Sequence, residues 1–371
     1  LDWWTFDAQD GLLLGMPIDV LIGWCVLWGS LPALVLADLP LALVLGLLLG
    51  IDVLVMPATA PLIRLGSRWL IGEVVGLLVC ALPAQLLARW TRDDRRLGAR
   101  VVLQVVCFTG LLLGVVPAIA LQATGLSGPV TLQRPAWLLS LALQLLAVPM
   151  VVGLAAVQEF WRRGGGTPVP LDPPRRLVTS GPYAYLRNPM QVAACGLLLG
   201  LAWLLGTPLL VGAAVLDICY GAGLAGWSED TELARVFGPG WQNYRRAVRP
   251  WWPRWRPYVD ADRPLARLYL AASCLPCSQL TAWLSRRHPR GLELVAAEDH
   301  PSRDLWRMTY SPGDGSPDDE GVAALGRALE HLSLGWALLG WMVRLPLLVS
   351  LVQLVVDAVG GGPRLVARRS R

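Results

Sequence analysis

The 371-residue sequence has no lysine; all 32 of its cationic side chains are arginine. It is short of charge altogether, at 16%, where an ordinary soluble domain carries about 25%. With 54% hydrophobic residues and a mean hydropathy of +0.50, that shortage excludes a disordered chain and a plain cytosolic enzyme. The net charge of +5 does not point to nucleic acid, because the arginines cluster beside apolar runs rather than on a basic soluble face. Histidine occurs only at 288, 300 and 331, and these read as surface or core residues rather than ligands or bases. No metal is expected. Cysteine is odd in number, at seven, so no disulfide framework is implied. Cys25, Cys80, Cys107, Cys195 and Cys219 lie in apolar runs and read as small buried hydrophobes; Cys274 and Cys277 form a lone CxxC. The opening LDWWTFDAQD is acidic and lacks a basic leader, so no signal peptide is assigned.

What is present is apolar length. Runs near 12–37, 39–60, 69–89, 101–122, 136–158, 190–206 and 208–227 are each about long enough to cross some 30 Å of hydrocarbon. Helices are expected, since backbone polar groups in lipid must be satisfied internally. The last two runs are parted only by Gly206-Thr207-Pro208 and should form a tight hairpin. Loops 90–100 and 159–189 and the stretch after 230 are basic, whereas 123–133 and 206–208 have no arginine. This alternation puts the N-terminus outside and the C-terminus in the cytoplasm, against Arg64 and Arg68. The Trp-, Arg- and Pro-rich segment 249–257 marks the exit from the membrane. Beyond about 262, strands are expected at 267–271, 292–296 and 306–310, a helix at 276–287, and a turn in SPGDGSPDDE. Helical pattern resumes at 321–358. Arg344 and Pro346 interrupt it, which favours two helices of a soluble domain over an eighth span. Asp19, Asp52, Glu73 and Asp217 fall within apolar runs; Asp217 is the one in the second half, and a helix–helix hydrogen bond is an equal reading for it.

Chemistry gathers at two places. Residues 166–191 read GTPVPLDPPRRLVTSGPYAYLRNPMQ, and after the hairpin the chain reads WSEDTELARVFGPGWQNYRRAVRPWWPRWRP. Arg187-Asn188-Pro189 offers donors where a helix begins, and free N–H groups there favour an anion. Glu229 and Asp230 lie past the hairpin at the same level, so the hairpin should bring the two stretches together. In order and spacing they resemble the isoprenylcysteine carboxyl methyltransferase and phospholipid methyltransferase superfamily, over about residues 100–257. The resemblance implies S-adenosyl-L-methionine as cofactor, a lipid-soluble methyl acceptor from the bilayer, and Arg187, Asn188 and Glu229 as catalytic residues. It implies cofactor contacts at Arg175, Arg176, Leu177, Val178, Tyr183, Asn188, Pro189, Met190, Gln191, Glu229 and Asp230. Gln191 replaces the usual tyrosine. Ala225 stands where the isoprenylcysteine enzymes place an arginine for the substrate carboxylate, which argues against a carboxylate acceptor of that kind. The segment VLDICYGAG at 215–223 resembles the first motif of soluble Rossmann-type methyltransferases. That motif needs a strand before it, and the glycines read instead as sites of close helix packing.

The stretch LYLAASCLPCSQLTAWLSRRHPRGLELVAAED, with the helical tail GVAALGRALEHLSLGWALLGWMVRLP, resembles the thioredoxin-like DCC family of thiol-disulfide oxidoreductases. The resemblance implies Cys274 as attacking and Cys277 as resolving thiol, with a thiol redox partner; Ala271 replaces the family's usual aspartate. The expected architecture is an all-α polytopic membrane domain of about seven transmembrane helices followed by a small α/β thioredoxin-like domain. The segments are N-terminal helices at 1–99, a methyltransferase core at 100–260 and the CxxC domain at 261–371. The expected setting is a bacterial plasma membrane. The alternative is a membrane-anchored thiol-disulfide oxidoreductase on a non-catalytic methyltransferase-like scaffold.

Overall fold

The computed structural model describes residues 2–8, 10–60, 62–125, 134–168 and 174–369, without the side chains of 224, 225 and 227–230. Contacts gather the chain into two compact units, Leu1–Gly128 and Pro129–Arg371. The boundary expected at 99/100 falls inside the first unit.

The first unit holds four helices, each long and apolar enough to cross a membrane: α1 (Ile18–Val35), α2 (Leu41–Thr59), α3 (Trp69–Arg92) and α4 (Leu97–Thr124). Their outward surface stays apolar, as at Leu54, 79% exposed, and Val79, 67%, which is what lipid rather than water permits. Cys25, Cys80 and Cys107 lie on that surface, and Cys219 of the second unit is likewise exposed. The expectation that these four are buried is thus corrected: the apolar runs are contact surfaces for lipid, not a core. Two short ladders also form, β1 (Trp4–Phe6) with β4 (Ile63–Leu65), and β2 (Leu12–Leu13) with β3 (Met16–Pro17). The β1–β4 ladder sets Arg64 against Asp7, so this arginine is neutralised locally and weighs less in the loop charge count. Buried Asp52 and Glu73 each accept from an indole N–H, of Trp28 and Trp4 respectively, both at 3.2 Å.

In the second unit α5 (Ala136–Gly164) is the fifth long apolar helix. It runs through Phe160–Gly164, so the basic loop expected from 159 begins six residues later, at Gly165. The shorter hairpin follows, α6 (Pro189–Leu205) and α7 (Leu209–Gly223). Gly206 (φ +70°) closes α6 in the left-handed conformation that glycine adopts without strain. Asp217 accepts a hydrogen bond from the Cys195 thiol at 3.0 Å, tying α7 to α6. Residues 215–220 are helical, so the Rossmann reading is excluded. Helix α8 (Gly226–Ala247) bends at Gly238 (φ +52°), just before Pro239.

The remainder is a four-stranded sheet with helices. The strands are β5 (Ala266–Leu270), β6 (Leu292–Ala296), β7 (Thr309–Ser311) and β8 (Asp319–Glu320), in the order β6-β5-β7-β8. β5 and β6 are parallel, joined through α9 (Leu275–Ser285); the other two pairings are antiparallel. The last two residues of the expected turn SPGDGSPDDE form β8, because the hairpin lets Thr309 and Tyr310 pair with Glu320 and Asp319. Three helices follow: α10 (Val322–Leu329), α11 (Leu334–Val343) and α12 (Pro346–Val356). The axis turns by 86° between the last two, at the break marked by Arg344 and Pro346.

A buried charge cluster joins this part to α5. The Arg327 guanidinium reaches Glu159 at 2.9 Å, Asp319 at 2.9 Å and Glu330 at 3.3 Å. Arg344 pairs with Glu330 and lies 3.5 Å from Glu159. Ser180 donates to Glu159 at 2.5 Å. Neighbouring Gly181 (φ +59°) has no Cβ, which would stand 3.0 Å from the Glu159 side chain. A buried carboxylate needs such partners to offset its lost hydration.

Candidate functional site

The segment 174–191 is positioned from three directions. At its start, the Arg175 N–H donates to Gly164 O at 2.8 Å at the end of α5. In its middle, the Tyr185 hydroxyl donates to Glu330 O at 2.8 Å, and its ring meets Trp341 edge-on at 5.6 Å. Along its end the exit segment 249–258 lies beside it. Main-chain bonds run from Arg187 N–H to Arg249 O (2.9 Å), Arg254 N–H to Tyr185 O (2.9 Å) and Tyr258 N–H to Ala184 O (2.8 Å). The prolines and tryptophans after α8 therefore brace the motif as well as leave the membrane. Tyr244 of α8 donates its hydroxyl to Tyr183 O at 2.9 Å. Burial pushes the Tyr244 phenol above its ordinary range, so it stays a neutral donor.

These braces leave a cavity of about 240 Å³ at the start of α6. Of the residues expected to hold cofactor, Leu177, Val178, Tyr183, Asn188, Pro189, Met190 and Gln191 line it, together with Arg187. Arg175 and Arg176 do not: both are exposed, and the Arg175 stem lies over Gly165. Glu229 and Asp230 lie outside the described side chains. Glu232, on α8 and close to one turn further along, lines the cavity and was not singled out in sequence; its helical spacing from Glu229 was the available signal. Phe160, Thr167, Leu233, Trp241 and Tyr244 were also missed, being distant in sequence or unremarkable alone.

The cavity has charge of both signs and aromatic walls. The Arg187 guanidinium sits 5.7 Å from the Trp241 ring centroid. Two buried polar groups in the lining, Thr167 Oγ1 and Trp241 Nε1, have no hydrogen-bond partner among the described residues. Buried polar groups are nearly always paired, so both donors suit an acceptor on a ligand. A guanidinium, an amide, a helix start, a carboxylate and aromatic faces together suit a ligand carrying both a carboxylate and cations. On α7, Gly221 has the Gln191 amide where a Cβ would be, 2.5 Å from Nε2, so this glycine does permit close packing.

A second cluster lies at the start of α9. Cys274 is the N-cap residue, and Cys277 packs half-buried against the sheet core. Burial and the hydrogen bond with Cys274 push the Cys277 thiol up to about 11. Both Glu298 carboxylate oxygens accept from the Ala272 N–H at 3.1 Å, fixing the loop before the thiols.

Helices of this length and apolarity define a multi-pass membrane protein, and a cavity lined by charged, amide and aromatic side chains lies at the base of its short hairpin. Residues 137–240, spanning α5, the hairpin and most of α8, match the phospholipid methyltransferase family. That stretch includes the cavity residues from Phe160 to Gln191 and both Glu232 and Leu233; the first four helices and the sheet lie outside it. No curated protein and no solved structure matches the chain.

Proposed function

We propose that the chain is an integral membrane methyltransferase that uses S-adenosyl-L-methionine and methylates a lipid-soluble acceptor. The observation that carries this reading is the closing of one cavity by Arg187 and Asn188 on one side of the hairpin and Glu232 and Trp241 on the other, with two buried donors in its wall that have no partner among the described residues. When bound, the cofactor supplies a methyl group on a sulfonium, open to in-line attack by an acceptor lone pair. The residues of the chain have to bind and align. Arg187, Asn188 and the free N–H groups of α6 suit the cofactor carboxylate; Glu232, with Glu229 on the same helix, suits its ammonium or ribose. The faces of Tyr183, Trp241 and Phe160 suit the sulfonium and adenine and keep water out. The acceptor enters from the bilayer. The arginine-rich loops favour a cytoplasmic site and a cytoplasmic C-terminus. The decisive test is transfer of a labelled methyl group into a lipid extract by purified protein, resolved by mass spectrometry. Calorimetry of S-adenosylmethionine binding to wild type, Glu229→Ala and Glu232→Ala accompanies it. No transfer and no binding would sink the reading; unchanged affinity in one variant would remove that residue from the site.

A second activity is favoured by the strand order β6-β5-β7-β8, with a parallel β5–β6 pair and a CxxC at the intervening helix. This order is what supports reading the sheet as a thioredoxin-like oxidoreductase. Cys274 at the helix start would attack, and Cys277, its thiol pushed up to about 11, would resolve. Insulin reduction abolished in Cys274→Ser is the expected result. Redox activity without any methyl transfer would instead make the helical core a scaffold.

A further inference from the structure

Helix α12 is inside out for a helix of a soluble domain. Gln353 turns to the protein, accepting from the Val322 N–H at 2.8 Å, and Asp357, just beyond α12, holds Arg307 with two bonds of 2.6 and 2.8 Å; exposed Ser350 returns its hydroxyl to Pro346 O within its own helix. Its open face is apolar. Leu347 is 83% exposed, Leu351 59%, Leu354 66%, Val355 62% and, in the turn that follows, Val359 79%. These positions fall i, i+4, i+7, i+8 and i+12 along one stripe. Water would be a poor neighbour for such a stripe.

Its surroundings say what covers it. Helix α11 packs through Ala337 and Trp341 against Ala155, Val151 and Val152 of α5, a membrane-crossing helix. The first N–H of α11 donates to Trp255 O at 2.9 Å, in a segment where Trp252 and Trp255 are 73% and 68% exposed, as interfacial tryptophans are. The axis then turns by 86° into α12. Exposed Arg364 follows, suited to anionic headgroups, whereas Arg368 and Arg369 are held by Pro301 O and Asp299. At about 1.5 Å per residue, even the 16 residues Pro346–Gly361 reach roughly 24 Å, short of the ~30 Å that a span crosses. The stripe, roughly 10 Å by 20 Å, is far smaller than the ~800 Å² per partner that a stable pair of proteins buries.

We infer that α12 lies in the plane of the membrane, its Leu347–Leu351–Leu354–Val359 stripe dipped into the leaflet where α5 ends, with Arg364 among the headgroups. It is an interfacial anchor, neither a span nor part of a water-exposed domain. This holds whether or not the cavity transfers methyl groups.

The test is a nitroxide scan of positions 347–359 in the full-length protein, in nanodiscs containing phosphatidylglycerol, with the native cysteines replaced and Ser285→Cys as the control outside the helix. Oxygen collision should exceed that of a water-soluble nickel complex several-fold at 347, 351, 354 and 355, with helical period and nearly constant depth. A depth that climbs steadily along the helix means a span and overturns the inference. Preferred nickel contact on the stripe overturns it in favour of water. Spin–spin broadening that vanishes on dilution with unlabelled protein overturns it in favour of a second copy. Should the cysteine-free chain not fold, Leu351→Trp in the native background must gain fluorescence quenching from brominated lipids; no added quenching overturns the inference equally.

Discussion

Two helices of the second unit begin alike and are equipped differently. Both α6 and α9 have proline in the first turn, at Pro189 and Pro276, and both offer free N–H groups there. At α6 the surroundings come from far along the chain: Phe160 precedes, Glu232 and Trp241 follow, and aromatic walls enclose a cavity. At α9 the chemistry is local, two thiols within four residues, and neither cysteine is fully buried. A helix start is thus a general electrostatic feature. What packs around it decides whether it suits a bound ligand or a reactive side chain.

The sharpest way to break this comparison is Arg327→Ala. It leaves Glu159, Asp319 and Glu330 without their shared cation, at a cost of about 3–5 kcal/mol. Because Arg327 ties α10 to α5, thermal scanning in detergent should show the helical core and the sheet loosening together. Separate transitions would mean that the two helix starts belong to independent bodies.

Acid should act next most strongly, and on the sheet side. Burial pushes His331 down to about 4, where it is held between Tyr310 and Arg290 O, while the unfolded histidine titrates near 6.5. The unfolded chain therefore binds the extra proton first. Stability is complete above about pH 6.5 and falls as pH drops toward 4, by on the order of 2–3 kcal/mol. The Glu298 carboxylate, held low by its own backbone N–H and those of Ala272 and Ser273, makes the fold lose stability in the same direction. His331→Gln should flatten the pH dependence of unfolding; an unchanged slope would exclude His331 as its source.

Arg187→Ala should weaken S-adenosylmethionine binding about 10- to 100-fold, the loss of a charged hydrogen bond of about 1.5–3 kcal/mol. Alkylation of Cys274 ahead of Cys277, followed by peptide mass spectrometry, should not change. If the thiol order changes too, the two sites are coupled. Gly221→Ala is the mildest test. A methyl group there presses on the Gln191 amide and should weaken binding about 3- to 5-fold, or roughly 1 kcal/mol.

How much was legible follows from how far apart the partners lie. The CxxC helix and strands β5 and β6 were readable almost to the residue, because their signals are local. So were Arg187 and Asn188, next to a helix start. Glu232 was not, because a carboxylate on a polar helix is marked only by the direction it faces, and that depends on the hairpin ahead of α8. Arg175 and Arg176 share a motif with Val178 yet point outward, since a loop fixes its side chains only by what it packs on. The inverted polarity of α12 was hidden because apolar periodicity shows that a helix has two faces, not which of them meets protein.

The sequence alone determined where the apolar helices run, where they break and which residues carry charge, because an apolar run long enough to cross a bilayer forms its hydrogen bonds within itself. Tertiary structure decided which charges meet: Glu159 with Arg327, and Arg187 with Glu232 around one cavity. Those meetings depend on desolvation and on the angle of each helix, and both arise only when the elements pack.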